Sequence, residues 1–124
     1  MPQQPTVLVV DDELGPRESL RTILHPDYRV LVAVEGEQAV RIITQEPVDV
    51  VLLDLRMPGL PGGQVVEKMK ALKPSIQIIV VTSSDPDERM IKEVFPHLFA
   101  YIVKPFNVSH LRETVKRAVA QRSQ

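Results

Sequence analysis

The sequence predicts an α/β domain in which a five-stranded parallel sheet carries helices on both faces. Val7–Val10, Val50–Leu53, Ile78–Val81 and Tyr101–Val103 are short, continuously apolar and rich in β-branched residues. Strands buried on both faces of a sheet read this way. The gaps hold apolar residues at helical spacing, and strand–helix alternation builds a parallel sheet through right-handed crossovers. Each of these runs ends on polar residues: Asp11-Asp12, Asp54, Thr82 and Lys104-Pro105. In a parallel sheet the carboxyl ends of the strands share one edge, so groups far apart in sequence converge in one crevice.

The elements follow in order. After the first strand, Leu20, Ile23 and Leu24 give a helix its apolar face, with Pro16 near the start, where a missing N–H costs little. His25-Pro26-Asp27 stops that helix, and Tyr28–Val34 reads as the second strand. Gly36 marks a turn, and Ala39, Val40 and Ile43 form the face of a second helix that ends before Pro47. Beyond the third strand, Pro58-Gly59-Leu60-Pro61-Gly62-Gly63 is a loop of several breakers. Val65, Val66, Met69 and Leu72 then define the third helical face, closed by Pro74. Ser84-Asp85-Pro86 predicts the start of the fourth helix, a capping side chain followed by Pro in the first turn. Asp87 and Glu88 suit its dipole, and Phe95-Pro96 ends it. Asn107 is predicted to cap the fifth helix, whose face is Leu111, Val115, Ala118 and Val119. Lys116, Arg117 and Arg122 lie toward its carboxyl end, where they complement the dipole. For five such units a flavodoxin-like three-layer sandwich with strand order 2-1-3-4-5 is a common solution. Its switch point falls between strands 1 and 3, the two that end in Asp11-Asp12 and Asp54.

At 124 residues the chain is expected to form a single domain over 1–124, with flexible ends at 1–5 and 121–124. The formal net charge of −1 gives no bulk electrostatic reason to bind nucleic acid or an anionic membrane directly. The apolar runs are too short to span a bilayer, and Met1-Pro2-Gln3-Gln4-Pro5 has neither the basic nor the apolar region of a signal peptide. The absence of cysteine excludes a disulfide framework and a thiolate metal site, and is compatible with a reducing compartment. A cytoplasmic location is therefore expected.

The converging groups suggest a particular chemistry. Three carboxylates packed together repel one another. A hard divalent cation such as Mg²⁺, bound through carboxylates, waters and phosphate oxygens, relieves that repulsion. Lys104 supplies a fixed positive charge for an anionic group, and Thr82 a hydroxyl able to donate to an incoming oxygen. No histidine or cysteine nucleophile joins the set. The combination points to phosphoryl transfer onto or from a carboxylate, since aspartyl phosphates are an established covalent intermediate.

These residues stand in motifs that resemble the receiver domain of bacterial two-component response regulators, the chemotaxis-receiver fold. The matching pieces are Val9-Val10-Asp11-Asp12-Glu13, Leu52-Leu53-Asp54-Leu55-Arg56-Met57-Pro58-Gly59 with Gly62, Val81-Thr82-Ser83, and Tyr101-Ile102-Val103-Lys104-Pro105-Phe106. Any one motif is weak, but the ordered set spans nearly the whole chain. The resemblance implies that Asp54 is the phosphoacceptor, taking its phosphoryl group from a phosphohistidine on a sensor histidine kinase or a phosphotransfer protein. It implies that Mg²⁺, with Mn²⁺ as a substitute, is held by Asp12 directly, by Asp11 chiefly through water, by Asp54, and by the backbone carbonyl of Arg56. Lys104 would pair with the Asp54 carboxylate and then with a phosphoryl oxygen, through a cis Lys104–Pro105 peptide that aims the amine inward. Thr82 and Tyr101 would be the switch residues, Thr82 swinging to a phosphoryl oxygen and Tyr101 rotating inward behind it. The fourth helix, fifth strand and fifth helix would relay the change, to a partner, to an output domain attached outside this chain, or across a weak dimer. A monomer is equally compatible.

Taken one by one, these residues also have plainer readings. Asp11-Asp12 is a common loop or helix-start pair, Thr82 a strand-end residue with Ser83 and Ser84 as rival hydroxyls, Lys104 a solvated lysine, and Tyr101 a half-buried strand aromatic. Asp54 is harder to dismiss, because a carboxylate leaving a buried run needs a partner. His25, His97 and His110 lack ligand spacing. Several positions depart from the family pattern. His97-Leu98 stands where Gly-Ala is usual, so the turn before the fifth strand is expected to be rebuilt. Pro61 stiffens its loop, and Arg56 and Ser84 occupy the variable positions flanking the phosphoacceptor. Two rival classes compete with a phosphorylation-switched signalling domain that is not an enzyme in the ordinary sense. A haloacid-dehalogenase-like phosphatase needs a second Asp two residues after its nucleophile, where this chain has Arg56. An inert receiver-like module fits poorly with retention of the full set Asp11, Asp12, Asp54, Thr82 and Lys104.

Overall fold

Strands form where β-branched runs can be buried on both faces. In the computed structural model, which describes residues 4–56 and 62–122, they are β1 (Thr6–Val10), β2 (Arg29–Ala33), β3 (Val50–Leu53), β4 (Gln77–Thr82) and β5 (Ala100–Val103). All pair parallel, in the order β2-β1-β3-β4-β5, as the sequence predicts. The helices are α1 (Leu14–Leu24), α2 (Gly36–Gln45), α3 (Gly62–Leu72), α4 (Glu88–Glu93) and α5 (Val108–Gln121).

Period-2 alternation divides the sheet's side chains between two cores. Leu8, Val10, Val51, Leu53 and Ile78 point to one, closed by Ala39, Val40 and Ile43 of α2 and Val65, Val66 and Met69 of α3. Val7, Val9, Val50, Leu52, Ile79 and Val81 point to the other, closed by Leu20 and Leu24 of α1 and Leu111, Val115 and Ala118 of α5. Among the described residues no helix is long and apolar enough to cross a membrane.

Two local expectations change. Leu72, assigned to the apolar face of α3, is 50% exposed: it is the last residue of that helix, beyond the turn that Met69 buries. The fourth helix starts at Glu88 instead of near Ser84. Asp87 is its cap, with Oδ1 accepting the Met90 N–H at 2.8 Å, because the residue before Pro86 is held out of the helical region and the next short carboxylate serves instead. The turn before β5 is a 3₁₀ turn at Phe95–His97, with the Leu98 N–H donating to the Phe95 carbonyl at 3.0 Å. Leu98 itself packs against the α2–α3 core. The Asn107 cap is present, its Oδ1 accepting the His110 N–H at 3.0 Å. The Pro58–Gly63 loop, with Pro61, falls largely on residues 57–61, outside the described residues, as do residues 1–3 and 123–124 of the ends.

At the amino-terminal edge of the sheet, Asp49 ties α5 to β1. Its Oδ2 accepts the buried Thr6 N–H at 2.8 Å, and its Oδ1 meets Arg122 Nε at 2.9 Å. Arg122 also donates to the Val119 carbonyl at the end of α5. Asp49→Ala leaves the Thr6 N–H without its acceptor and takes the carboxylate partner from Arg122, which keeps only the Val119 carbonyl among its described partners. It is expected to lower the unfolding free energy by about 2 kcal/mol, read as a shifted urea midpoint at unchanged m-value, with Asp49→Asn losing less.

Candidate phosphoacceptor site

The chemistry-bearing residues sit where the strands stop, and their backbones are still held by the sheet. The Asp11 N–H donates to the Ala33 carbonyl at 3.1 Å, the Asp54 N–H to Val10 at 3.0 Å, and the Lys104 N–H to Thr82 at 2.7 Å. Each of the three is the first residue beyond its strand. The ladder therefore fixes the Cα positions while the side chains enter the crevice at the β1–β3 switch point.

Lys104 is the hub. Its Nζ lies 3.2 Å from Asp11 Oδ2 and 3.5 Å from Asp54 Oδ2, with the lysine side chain 21% exposed and the two carboxylates 2% and 8%. The Lys104–Pro105 peptide is cis, as expected. Asp54 Oδ1 accepts two more hydrogen bonds, from Thr82 Oγ1 at 3.0 Å and from the Arg56 N–H at 2.9 Å. Asp11 Oδ1 accepts the Glu13 N–H at 3.0 Å. Buried Asp11, Asp54 and Thr82 thus form one connected polar network with half-buried Lys104, in which each lone pair occupied lowers the cost of burying charge.

Asp12, by contrast, is exposed, and its carboxylate has no hydrogen-bond or ion-pair partner among the described residues. Carboxylate oxygens of Asp11, Asp12 and Glu13 all lie within 4.8 Å of one another. This hard, all-oxygen donor set suits Mg²⁺ far better than a soft or nitrogen-loving metal. Glu13 was given no role from the sequence; the run Asp11-Asp12-Glu13 carried the signal.

Thr82 is fully buried and its hydroxyl already points into the crevice. Tyr101 lies on β5 with its ring against Phe95, centroids 5.1 Å apart, and its hydroxyl donates to the Ser84 carbonyl at 2.8 Å. Burial first, then the negative Asp85, Asp87 and Asp54, holds its phenol above the ordinary 10.0. A raised folded-state pKa keeps the neutral donor intact below the unfolded value and releases it only as pH rises through the folded one. The hydroxyl therefore remains a donor throughout the neutral range. Arg56 reaches across the crevice mouth, Nη1 donating to Ser83 Oγ at 2.9 Å. Sequence reasoning placed Arg56 beside the site but missed that bond.

The geometry agrees with comparison to known proteins. A family model for the response regulator receiver domain matches residues 7–116. The chain is 37% identical over 118 residues to the hydrogenase transcriptional regulatory protein HoxA of Cupriavidus necator, covering 94% of this chain and 24% of that protein. It is 30% identical over 118 residues to sporulation initiation phosphotransferase F of Bacillus subtilis, covering 94% and 95%. The chain thus spans about a quarter of one relative and almost all of the other. Among solved structures, the response regulator TrrA of Thermotoga maritima in complex with Mg²⁺-BeF superposes with a TM-score of 0.81 at 32% identity, over 92% of this chain and 98% of that one. Strand order, crevice and family match agree, and the chain belongs to the response regulator receiver domains of two-component signalling.

Proposed function

We propose that Asp54 accepts a phosphoryl group from the phosphohistidine of a sensor histidine kinase or phosphotransfer protein, and that the α4–β5–α5 face passes the change to a partner or to an output domain. The observation that carries this reading is the division of labour on Asp54. Oδ1 is held by two donors, whereas Oδ2 has Lys104 as its one described partner, at 3.5 Å. Oδ2 therefore keeps a lone pair for attack. An O–P bond forms as the N–P bond breaks, the electron pair goes to the leaving imidazole nitrogen, and that nitrogen takes a proton. Lys104 lies where it can pair with a phosphoryl oxygen, and the Thr82 hydroxyl where it can turn to donate to another. Tyr101, bonded to the loop after β4, would couple that turn to α4, a six-residue helix with no buried side chain.

Asp12 and Glu13, with Asp11, Asp54 and the Arg56 carbonyl, would hold the divalent cation. When bound, Mg²⁺ or Mn²⁺ neutralises charge that builds on the phosphoryl oxygens. TrrA, crystallised with Mg²⁺-BeF, supports this ligand chemistry by analogy. The HoxA relative, four times longer, supports an output domain beyond the receiver, while sporulation initiation phosphotransferase F supports a free-standing relay.

Acetyl phosphate with Mg²⁺, followed by intact mass, tests the reading. One phosphoryl adduct per chain is expected. Steady phosphate release at enzymic rates would favour a phosphatase, and an unchanged mass an inert module. Mg²⁺ binds the folded acid cluster and not the dispersed acids of the unfolded chain, so it should stabilise the protein, by about 2.7 kcal/mol at a hundredfold excess over its dissociation constant. Asp12→Ala should erase the Mg²⁺-dependent rise in melting temperature and leave the metal-free protein nearly unchanged, since the Asp12 carboxylate has no described partner. Asp11→Ala should lower the metal-free melting temperature as well, because it strips acceptors from Lys104 and Glu13. A melting temperature indifferent to Mg²⁺, with phosphorylation persisting in chelator, would count against the site.

A further inference from the structure

We propose that Arg17 is a positioning residue for the divalent cation: it clamps the Asp11–Asp12 peptide and so sets the direction of the Asp12 carboxylate. This rests on the reading of Asp11, Asp12 and Glu13 as the cation's acids. Arg17 lies in α1, half-buried, and its Nη1 donates to the Asp11 backbone carbonyl at 3.0 Å. That carbonyl belongs to the peptide unit from which Asp12 springs. Every polar atom of Asp11 is then held: N–H to the Ala33 carbonyl, carbonyl by Arg17, Oδ1 by the Glu13 N–H and Oδ2 by Lys104.

Asp12 differs. No side-chain partner fixes it among the described residues, and Glu13, at the helix N-cap, makes no capping bond that would brace the loop. The aim of the Asp12 carboxylate therefore depends on the orientation of its own backbone, and Arg17 holds the preceding peptide plane. The Arg17 N–H also donates to the Glu13 carbonyl at 3.2 Å, closing the first turn of α1 on the same loop. Removing the guanidinium frees a partly buried carbonyl to rotate toward water. The acid loop then samples orientations in which Asp12 faces away from Asp11 and Glu13, and the cation must restore order when it binds.

A like-charge role for Arg17 predicts the opposite sign. If the guanidinium acted mainly by repelling the cation, its removal would tighten binding. The bond to a neutral carbonyl, instead of to one of the acids, favours positioning. A charge-assisted hydrogen bond is worth roughly 1.5 kcal/mol at the low end, which corresponds to about tenfold in affinity.

The test is a Mg²⁺ titration of ¹⁵N-labelled protein, following the amide shifts around Asp12 and Glu13, in the wild type, Arg17→Ala, Arg17→Gln and Arg17→Lys. The wild type should saturate. Arg17→Ala should raise the dissociation constant about tenfold, while Arg17→Lys and Arg17→Gln, which keep a donor, should fall between. In parallel, the Mg²⁺ concentration for half-maximal phosphorylation by acetyl phosphate should rise with the extent of phosphorylation at saturating Mg²⁺ unchanged. A residue that merely supports the fold would lower the melting temperature without moving the Mg²⁺ midpoint of the folded protein. Should Arg17→Ala not fold, Arg17→Gln carries the comparison. Wild-type saturation with unchanged or tighter Mg²⁺ binding in the variants overturns the role of Arg17 alone. A wild type that does not respond to Mg²⁺ overturns the cation site and the Arg17 proposal together.

Discussion

Asp54→Asn is expected to abolish phosphorylation by acetyl phosphate or a phosphohistidine donor while leaving the fold intact. The amide retains an oxygen that can accept from Thr82 Oγ1 and the Arg56 N–H, as Asp54 Oδ1 does at 3.0 and 2.9 Å. It lacks the anionic lone pair that we propose attacks phosphorus. Lys104 keeps Asp11 as a partner at 3.2 Å, so its ammonium is not stranded. One of the carboxylates crowding the crevice is gone, which offsets the lost attraction to Lys104. The net change in unfolding free energy should stay within about 1 kcal/mol of the wild type, of either sign. Intact mass after acetyl phosphate treatment, together with a urea melt, reads both halves. A phosphoryl adduct on Asp54→Asn would sink the assignment unless peptide mapping placed it on a neighbouring hydroxyl.

Lys104→Met should do the reverse, damaging stability as well as chemistry. Among the described residues the lysine is the one cation that contacts both Asp11 and Asp54, whose side chains are 2% and 8% exposed. Methionine fills similar volume but leaves two buried carboxylates facing each other without a countercharge. Removing one partner of a buried ion pair costs roughly 3 kcal/mol or more. Mg²⁺ should recover part of that loss by supplying positive charge to the same acids, so the stabilisation on adding Mg²⁺ should be larger in Lys104→Met than in the wild type. Phosphorylation should fall steeply, since the ammonium placed beside Asp54 Oδ2 to pair with a phosphoryl oxygen is lost. Any adduct that does form should fail to alter the α4–β5–α5 face, read as absent amide shift changes there. Wild-type stability and wild-type phosphorylation in Lys104→Met would contradict the hub role of this residue.

Much of the molecule was legible before any coordinates. Val7–Val10, Val50–Leu53 and Ile78–Val81 read as strands buried on both faces, because they are short, rich in β-branched residues and offer no polar side to water. Their alternation with helical stretches implied a parallel sheet, and the observed order β2-β1-β3-β4-β5 is the common solution for five units. The place of the candidate site followed from position, while the roles of its residues came from the family resemblance. A polar residue just beyond a buried strand must emerge at the carboxyl edge, and Asp11, Asp54 and Lys104 all do, each still held by the backbone ladder. Spacing and apolar composition are properties of the chain as written.

What tertiary structure decided has a different physical origin. The start of α4 could not be read from pattern, since a six-residue helix with no buried side chain has no apolar period to detect. Its limit was set by the conformation Pro86 imposes and by the reach of the Asp87 carboxylate. Leu72 fits the helical period yet lies exposed, because period gives a direction around the helix axis and not the point at which the sheet below runs out. The bonds of Arg17 to the Asp11 carbonyl, Arg56 to Ser83 and Asp49 to Arg122 join long or charged side chains to groups on other elements or loops. Such pairings depend on rotamers and on loops brought within about 3 Å of each other, and no one-dimensional pattern encodes them. The sequence by itself determined the layers, the strand order and the edge at which the chemistry collects; packing decided which oxygen of Asp54 faces Lys104 and which faces Thr82 and Arg56, what holds the acid loop, and where the short fourth helix begins.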